Sequence, residues 1–300
     1  MTGMVTKKRR DIFYVAGILV LSWVALSRDA VAANPIPAAS PATSAKPPAG
    51  FKKVFVVILE NEDEQSAVTQ PFLAQLARSG ALLQQYSGIS HPSEPNYLAL
   101  TSGSTWGIHD DARRTIDATN LGDLLEAKGH TWKSYAEDYP GHCDLRAQIG
   151  PYVRKHEPFL SYTDVQQSPT LCAHIVNANE LDQDLAEDRL PDFSLYVPND
   201  QNNGHDTGVT FADNWLKSRF GNLLSDPHFI EDTLFVVTFD EADHGNRVYT
   251  SLYGSMVRPG FVSGATYDHY SLLRTIEGGL GLETLGRGDS TAKPIEDVFK

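Results

Sequence analysis

The chain has 300 residues, 41% of them hydrophobic and 21% charged, with a formal net charge of -13 at pH 7. That length and apolar content suffice for one large α/β domain with a substantial core. The acidic balance excludes nucleic-acid binding through a basic face and suits a soluble protein that concentrates cations.

Residues 1–32 stand apart from the rest. Lys7-Lys8-Arg9-Arg10, the apolar run Ile12 to Leu26 and Ala30-Val31-Ala32 form the basic, apolar and small-residue sections of a secretory signal. The apolar run of 15 residues is short against the roughly 20 that a membrane-spanning helix needs. Cleavage near Ala33 is therefore expected, giving a secreted or periplasmic mature chain without stable membrane insertion. Arg9-Arg10 is compatible with a twin-arginine route and does not decide it. Removal of residues 1–32 takes away five Lys/Arg and two Asp, so the net charge moves from -13 to -16. Asn34 to Gly50 is rich in Pro, Ala, Ser and Thr and reads as a flexible tether. The expected layout is a signal over 1–32, a linker over 33–50 and a catalytic domain over 51–300.

The domain begins with Val54-Phe55-Val56-Val57-Ile58-Leu59, a continuous apolar run of strand length, as expected of a central parallel strand covered on both faces. It stops at Glu60-Asn61, where an open α/β sheet places its ligand crevice. Phe72 to Arg78 reads as a helix closed by Gly80, and Ala81 to Tyr86 as a strand. The stretch Ser87 to Gly103, SGISHPSEPNYLALTSG, then carries two candidate nucleophiles, Ser90 and Ser93, and the histidine His91 into a short helix. The free N–H groups of such a helix start attract an anion. Ser93 is equally placed to cap that helix, with Pro95 in its first turn.

Leu121 to Lys128, ended by Gly129, reads as a helix and Thr131 to Ala136 as a strand. Glu137 to Arg189 is less periodic and reads as an insertion that forms one wall of a pocket. It contains Cys143 and Cys172, the chain's two cysteines, and an exported location permits a disulfide between them. Phe193 to Val197 is a strand running into Pro198-Asn199-Asp200-Gln201-Asn202-Asn203-Gly204-His205-Asp206, a loop with metal-ligand residue types. Phe211 to Leu224 reads as an amphipathic helix. Thr233 to Phe239 is a second continuous buried strand and stops at Asp240-Glu241. Tyr249 to Val257 reads as a strand, and Tyr267-Asp268-His269 precedes a helix from Tyr270 to Gly278. The alternation predicts a doubly wound, mostly parallel sheet sandwiched by helices.

Parallel strands deliver their carboxyl ends to one sheet edge, so Glu60, Asn61, Asp240 and Glu241 form an expected oxygen-rich site for a divalent metal. His205 and His269 add imidazole nitrogen of the kind that zinc or iron takes, which suits a second site. Zn, Ca, Mg and Fe all remain open. A hydroxyl nucleophile between cations accounts for the three clusters together, because metals lower the alkoxide pKa and clamp the attacking and leaving oxygens.

With these residues collected, the chain resembles the phosphoesterase family of bacterial and fungal acid phosphatases and phospholipases C, within the alkaline phosphatase-like superfamily. The resemblance rests on VVILEN at 56–61, SHPSEPNYLALTSG at 90–103, the segment 197–206, TFDE at 238–241 and HYSLLRTIE at 269–277. It implies hydrolysis of small phosphomonoesters through a covalent Ser phospho-enzyme, with Glu60, Asn61, Asp240 and Glu241 as metal ligands. A phospholipase C or other phosphodiesterase is the alternative within that family, and a non-catalytic binding protein of the same fold the alternative outside it.

A nucleophile-x-Pro pattern among superfamily relatives points to Ser90, two residues before Pro92, leaving Ser93 as helix cap and phosphate donor. His91, Asn96 and Asn61 are then expected to contact substrate, and His205 and His269 to hold phosphate or protonate the leaving group. Two departures stand out: Asn203 replaces a carboxylate before Gly204-His205, and Lys155-His156-Glu157-Pro158 replaces a Lys-His-Asn-Pro segment. Asp243-His244-Gly245 resembles a superfamily metal motif and is the alternative to Asp240-Glu241.

Overall fold

The computed structural model describes residues 50–300; the expected signal segment and nearly all of the expected linker lie outside the described residues. The strands are β1 (Lys53–Leu59), β2 (Ala81–Ser87), β3 (Trp132–Ala136), the small hairpin β4 (Gln148–Ile149) and β5 (Tyr152–Val153), β6 (Ile175–Asn177), β7 (Phe193–Val197), β8 (Thr233–Phe239), β9 (Thr250–Tyr253) and β10 (Phe261–Asp268). Eight of them form one sheet in the order β10-β2-β9-β8-β1-β7-β3-β6.

Within that sheet β9 runs antiparallel to both β2 and β8, while every other neighbouring pair is parallel. β1 lies between β7 and β8 and pairs with β8 along its whole length, Lys53 to Thr233 through Leu59 to Phe239. Apart from Lys53, Thr233 and Thr238 both strands are apolar, as suits strands covered on both faces, and six of the seven β1 residues are buried. On one face the Phe55 ring packs on those of Phe235, Tyr196 and Tyr135 at 5.5, 6.3 and 6.5 Å, with Phe220 and Phe229 edge-on.

The expected layout holds for the long buried strands and departs from the structure at the sheet margins. β10 is an edge strand whose residues are largely half-buried or exposed, so its apolar signal is weak and no strand was expected there. The insertion after Glu137 supplies β6 at the opposite edge and carries the Cys143–Cys172 disulfide, with Cα atoms 5.8 Å apart. The strand expected over Tyr249 to Val257 shortens to β9. No helix among the described residues is long and apolar enough to cross a membrane.

The turn after β2 leads into the helix Glu94–Ser102, whose nine residues are all buried. Buried on all sides although it carries Glu94, Asn96, Thr101 and Ser102, it packs against the helix His269–Gly279. Its C-cap Gly103 has φ 70°, a left-handed conformation, and a Cβ there would sit 2.2 Å from Asp289 Oδ1. Glycine therefore satisfies both the turn and the close approach.

Candidate active site

The carboxyl ends of β1 and β8, adjacent and parallel, bring Glu60-Asn61 and Asp240-Glu241 together, as expected from the two apolar runs. The amide N–H of Asp240 donates to Leu59 O at 3.0 Å, and that of Asn61 to Asp240 Oδ1 at 3.3 Å, so each strand end holds the other in register. Glu60, Asp240 and Glu241 are all at most 5% exposed. Burial, together with the Glu60 and Glu241 charges, pushes the Asp240 carboxyl well above the usual carboxylate range. Burial and the Glu60 charge likewise raise Glu241, against the opposing pull of His91.

Ser93 sits at the centre of this group. Its Oγ lies 3.1 Å from Glu60 Oε2 and 3.2 Å from Glu241 Oε1, and the residue is 1% exposed. It makes no capping hydrogen bond and its own backbone is helical, so the expected capping role is not what the structure shows. One turn further along the same helix face, Tyr97 donates its hydroxyl proton to Glu60 Oε1. Burial and the Glu60 charge raise the Tyr97 phenol well above its ordinary value, which keeps it a neutral donor.

Ser90 faces elsewhere. Its Oγ donates to His91 O at 3.2 Å, and its own carbonyl accepts from Asn96 Nδ2 at 2.9 Å and Asn246 Nδ2 at 3.2 Å. Asn96 uses its other end as well, accepting from the amides of Ile89 and Ser90 at 2.8 and 3.0 Å. With both ends committed and 1% exposure, Asn96 clamps the turn and does not face a substrate. His91 does border the centre: Nδ1 is 2.6 Å from Glu241 Oε2, and Nε2 donates to Gly245 O at 2.8 Å.

The expected second cluster separates into parts. His269 is 1% exposed and has both ring nitrogens engaged, Nε2 at 2.6 Å from Asp240 O and Nδ1 at 3.0 Å from Tyr86 OH. A carbonyl only accepts, so Nε2 carries the proton and Nδ1 of the neutral ring accepts from the tyrosine. Burial pushes this imidazole down, in keeping with the neutral form. His269 therefore has no nitrogen free for phosphate or metal and instead orients Asp240. His205 lies in the 198–206 loop with Nδ1 at 2.8 Å from Asp206 Oδ1, and one ligand atom each of Asp200, His205 and Asp206 fall within 4.8 Å of one another.

Between the two groups stands His156, which the sequence flagged only as part of a variant segment. It is 1% exposed, with Nε2 at 3.3 Å from Glu60 Oε2 and Nδ1 at 3.3 Å from Asp200 Oδ1. Burial disfavours its charge, but the Glu60 carboxylate and the contacts with Asp200 and Glu60 hold it up at about 10. Asn203 also has a definite place. Its Nδ2 donates to Asp200 Oδ1 at 3.3 Å, which a carboxylate could not do, and its backbone oxygen accepts from Glu60 N at 3.0 Å. His244, by contrast, pairs with Asp63 Oδ2 at 2.9 Å with its side chain 88% exposed, outside the carboxylate group.

The donor set fits a hard divalent cation. Asn61 Oδ1 and Asp240 Oδ2 are buried without a hydrogen-bond partner, and the carboxylates and amide at these two strand ends are the oxygen ligands such ions take, although the group of acidic and imidazole atoms that all lie within 4.8 Å of one another among the described residues is that of Asp200, His205 and Asp206. Buried oxygens of this kind are rarely left unpaired without a reason.

The phosphoesterase family model matches residues 64–283. The chain belongs to the phosphoesterase family. A probable acid phosphatase of Kluyveromyces lactis is 36% identical to it over 266 residues, 83% of this chain and 63% of that protein. A phosphatidylinositol-3-phosphatase of Mycobacterium tuberculosis is 33% identical over 295 residues, covering 95% of this chain and 91% of its own. This phosphoesterase thus spans less than two thirds of the length of the yeast relative and nearly all of the mycobacterial one. A solved alkaline phosphatase superfamily protein from Vibrio parahaemolyticus shares its fold with a TM-score of 0.56 at 13% identity, over 82% of this chain and 71% of that one. That likeness confirms the doubly wound sheet and carries nothing about substrate.

Proposed function

We propose that this phosphoesterase is an exported, metal-dependent phosphomonoesterase that works through a phosphoserine at Ser93. The observation that carries this reading is the Ser93 hydroxyl, 3.1 and 3.2 Å from two carboxylates that belong to different strand ends. A capping serine has no need of such neighbours, whereas a nucleophile does. The phosphatase names of its relatives support the reaction class.

Glu60, Asn61, Asp240 and Glu241 would hold the divalent ion. When bound, it supplies positive charge that favours the serine alkoxide and the charge developing on phosphoryl oxygens. Glu60 and Glu241 flank the hydroxyl and take up or relay its proton. Ser93 Oγ forms a bond to phosphorus as the P–O bond to the alcohol breaks, and the departing oxygen gains a proton. Water then attacks phosphorus, the Oγ–P bond breaks, and serine and inorganic phosphate are released. His156, charged behind Glu60, offsets the negative charge that substrate brings, and His91 stands at the rim beside Glu241. Tyr97 and His269 hold Glu60 and Asp240 in place.

The direct test is phosphate release from p-nitrophenyl phosphate before and after chelation, with Asp240→Asn alongside. Loss of bound metal and of turnover together, in folded Asp240→Asn protein, is the expected result. Full turnover after chelation and dialysis would refute the metal-dependent reading. A marked preference for bis-p-nitrophenyl phosphate would move the assignment to a phosphodiesterase.

A further inference from the structure

Beside the Ser93 centre lies a separate pocket of about 150 Å³, lined by Glu94, Asp111, Arg113, Gln148, Arg154 and Lys155 among others. Two chain neighbours tie it to the centre: Glu94 follows Ser93, and Lys155 precedes His156. Lys155 Nζ donates to Asp111 Oδ2 at 2.8 Å, and the Glu94 amide donates to Asp111 Oδ1 at 3.0 Å. Lys155 is close enough to the centre that the Glu60 and Asp240 charges, with Asp111, hold its ammonium up against the opposing effect of burial.

The pocket mixes both kinds of hydrogen-bonding group. Arg113 is exposed at its edge and bonds only one carbonyl, Leu145 O at 3.2 Å, so most of its five N–H groups remain available. Glu94 is 1% exposed; its Oε1 accepts from Ser161 Oγ at 3.3 Å, while Oε2 has no partner. A buried oxygen without a partner favours any ligand that brings one. Burial, against the pull of Arg154, lifts this carboxyl to about 7, so both of its protonation states are accessible near neutral pH.

A hydroxyl group meets all of these demands, because it both donates and accepts. It donates to an ionised Glu94, accepts from a protonated one, and accepts from Lys155 or Arg113. An apolar leaving group would leave Glu94 Oε2 unsatisfied. A second phosphate would face the Glu94 and Asp111 carboxylates. We propose that this pocket is the leaving-group subsite of the Ser93 centre and that it takes a polyol, such as the ring of a sugar phosphate. The proposal rests on the phosphomonoesterase reading above for its catalytic meaning, and on the pocket alone for its ligand class.

Two measurements test it on the full mature chain with divalent metal added. The first compares kcat/KM for glucose 6-phosphate and phenyl phosphate in the native protein, Arg113→Met and Lys155→Met. The sugar ester should be preferred at least tenfold, and each variant should lower that ratio at least fivefold. The second follows D-glucose binding to Ser93→Ala protein by saturation-transfer NMR, where turnover plays no part. Saturable binding, weakened at least fivefold by Arg113→Met, is expected; Arg113 is exposed, so its loss leaves the core untouched. A ratio that the variants do not move, or glucose that shows no saturable contact, overturns the subsite. Hydrolysis of neither ester would sink the phosphatase reading instead, and the NMR arm would still decide the pocket.

Discussion

His269 Nε2 donates to the backbone oxygen of Asp240 at 2.6 Å while Nδ1 accepts from Tyr86 OH at 3.0 Å. The ring thus joins β2 to the end of β8 and sets the direction in which the Asp240 carboxylate leaves the strand. Partners that orient metal ligands typically contribute about 10- to 100-fold to metal affinity. His269→Leu should therefore weaken divalent-metal binding, measured by titration calorimetry, by about that factor. Unchanged affinity in a folded variant would reduce His269 to a packing residue.

The two serines separate cleanly by substitution. Ser93→Ala should abolish the phospho-enzyme and reduce turnover by several orders of magnitude, because no serine hydroxyl then lies between Glu60 and Glu241. Ser90→Ala removes only a hydroxyl bonded to the His91 carbonyl and should leave turnover within about tenfold, a modest loss on the scale of single catalytic groups. Acid trapping with substrate and mapping of the phosphorylated peptide checks this, and phosphoserine at 90 would reverse the assignment.

Tyr97→Phe takes away the phenol that donates to Glu60 Oε1. An unpaired buried acceptor costs about 1–3 kcal/mol. Scanning calorimetry of the chelated variant should show a lower Tm by several degrees, and equal Tm values would show that Glu60 does not depend on Tyr97.

Glu277 offers a pH test remote from the centre. It is fully buried beside Asp289 and Arg274, and burial together with the Asp289 charge lifts its carboxyl from 4.5 to about 9, against the weaker pull of Arg274. The folded chain therefore binds this proton more tightly than the unfolded chain. The stabilising contribution is complete below about pH 4.5 and declines as pH rises through about 9. Glu277→Gln, which imitates the protonated form, should raise Tm at pH 8 and flatten its decline between pH 6 and 10. A variant that melts lower at pH 8 would contradict this.

The Cys143–Cys172 bridge spans 29 residues of sequence, and closing a loop of that length contributes about 3.6 kcal/mol in the chain-entropy model. The double substitution to Ser should lower the denaturation midpoint accordingly. Thiol titration of the denatured, unreduced native protein should find none, and two titratable thiols would remove the staple.

The meeting of Glu60-Asn61 with Asp240-Glu241 was legible in the sequence because each pair follows a strand apolar enough to be buried on both faces. Such strands are parallel and adjacent in this fold, so Glu60-Asn61 and Asp240-Glu241 had to meet at one edge. The Cys143–Cys172 pairing followed from there being two cysteines. Which serine turns toward the carboxylates was not legible, since Ser90 and Ser93 share one turn and differ only in direction. The all-buried helix Glu94–Ser102 turns Ser93 and Tyr97 inward on one face, while Asn96 pins Ser90 outward. Nor could spacing reveal that His269 orients Asp240 with both nitrogens used. His156 reaches Glu60 from an irregular segment almost a hundred residues along the chain, and periodicity carries no information about such a segment. Local pattern determines which residues end a buried strand; only the packing of helices and loops over that sheet edge decides which hydroxyl and which imidazole reach them.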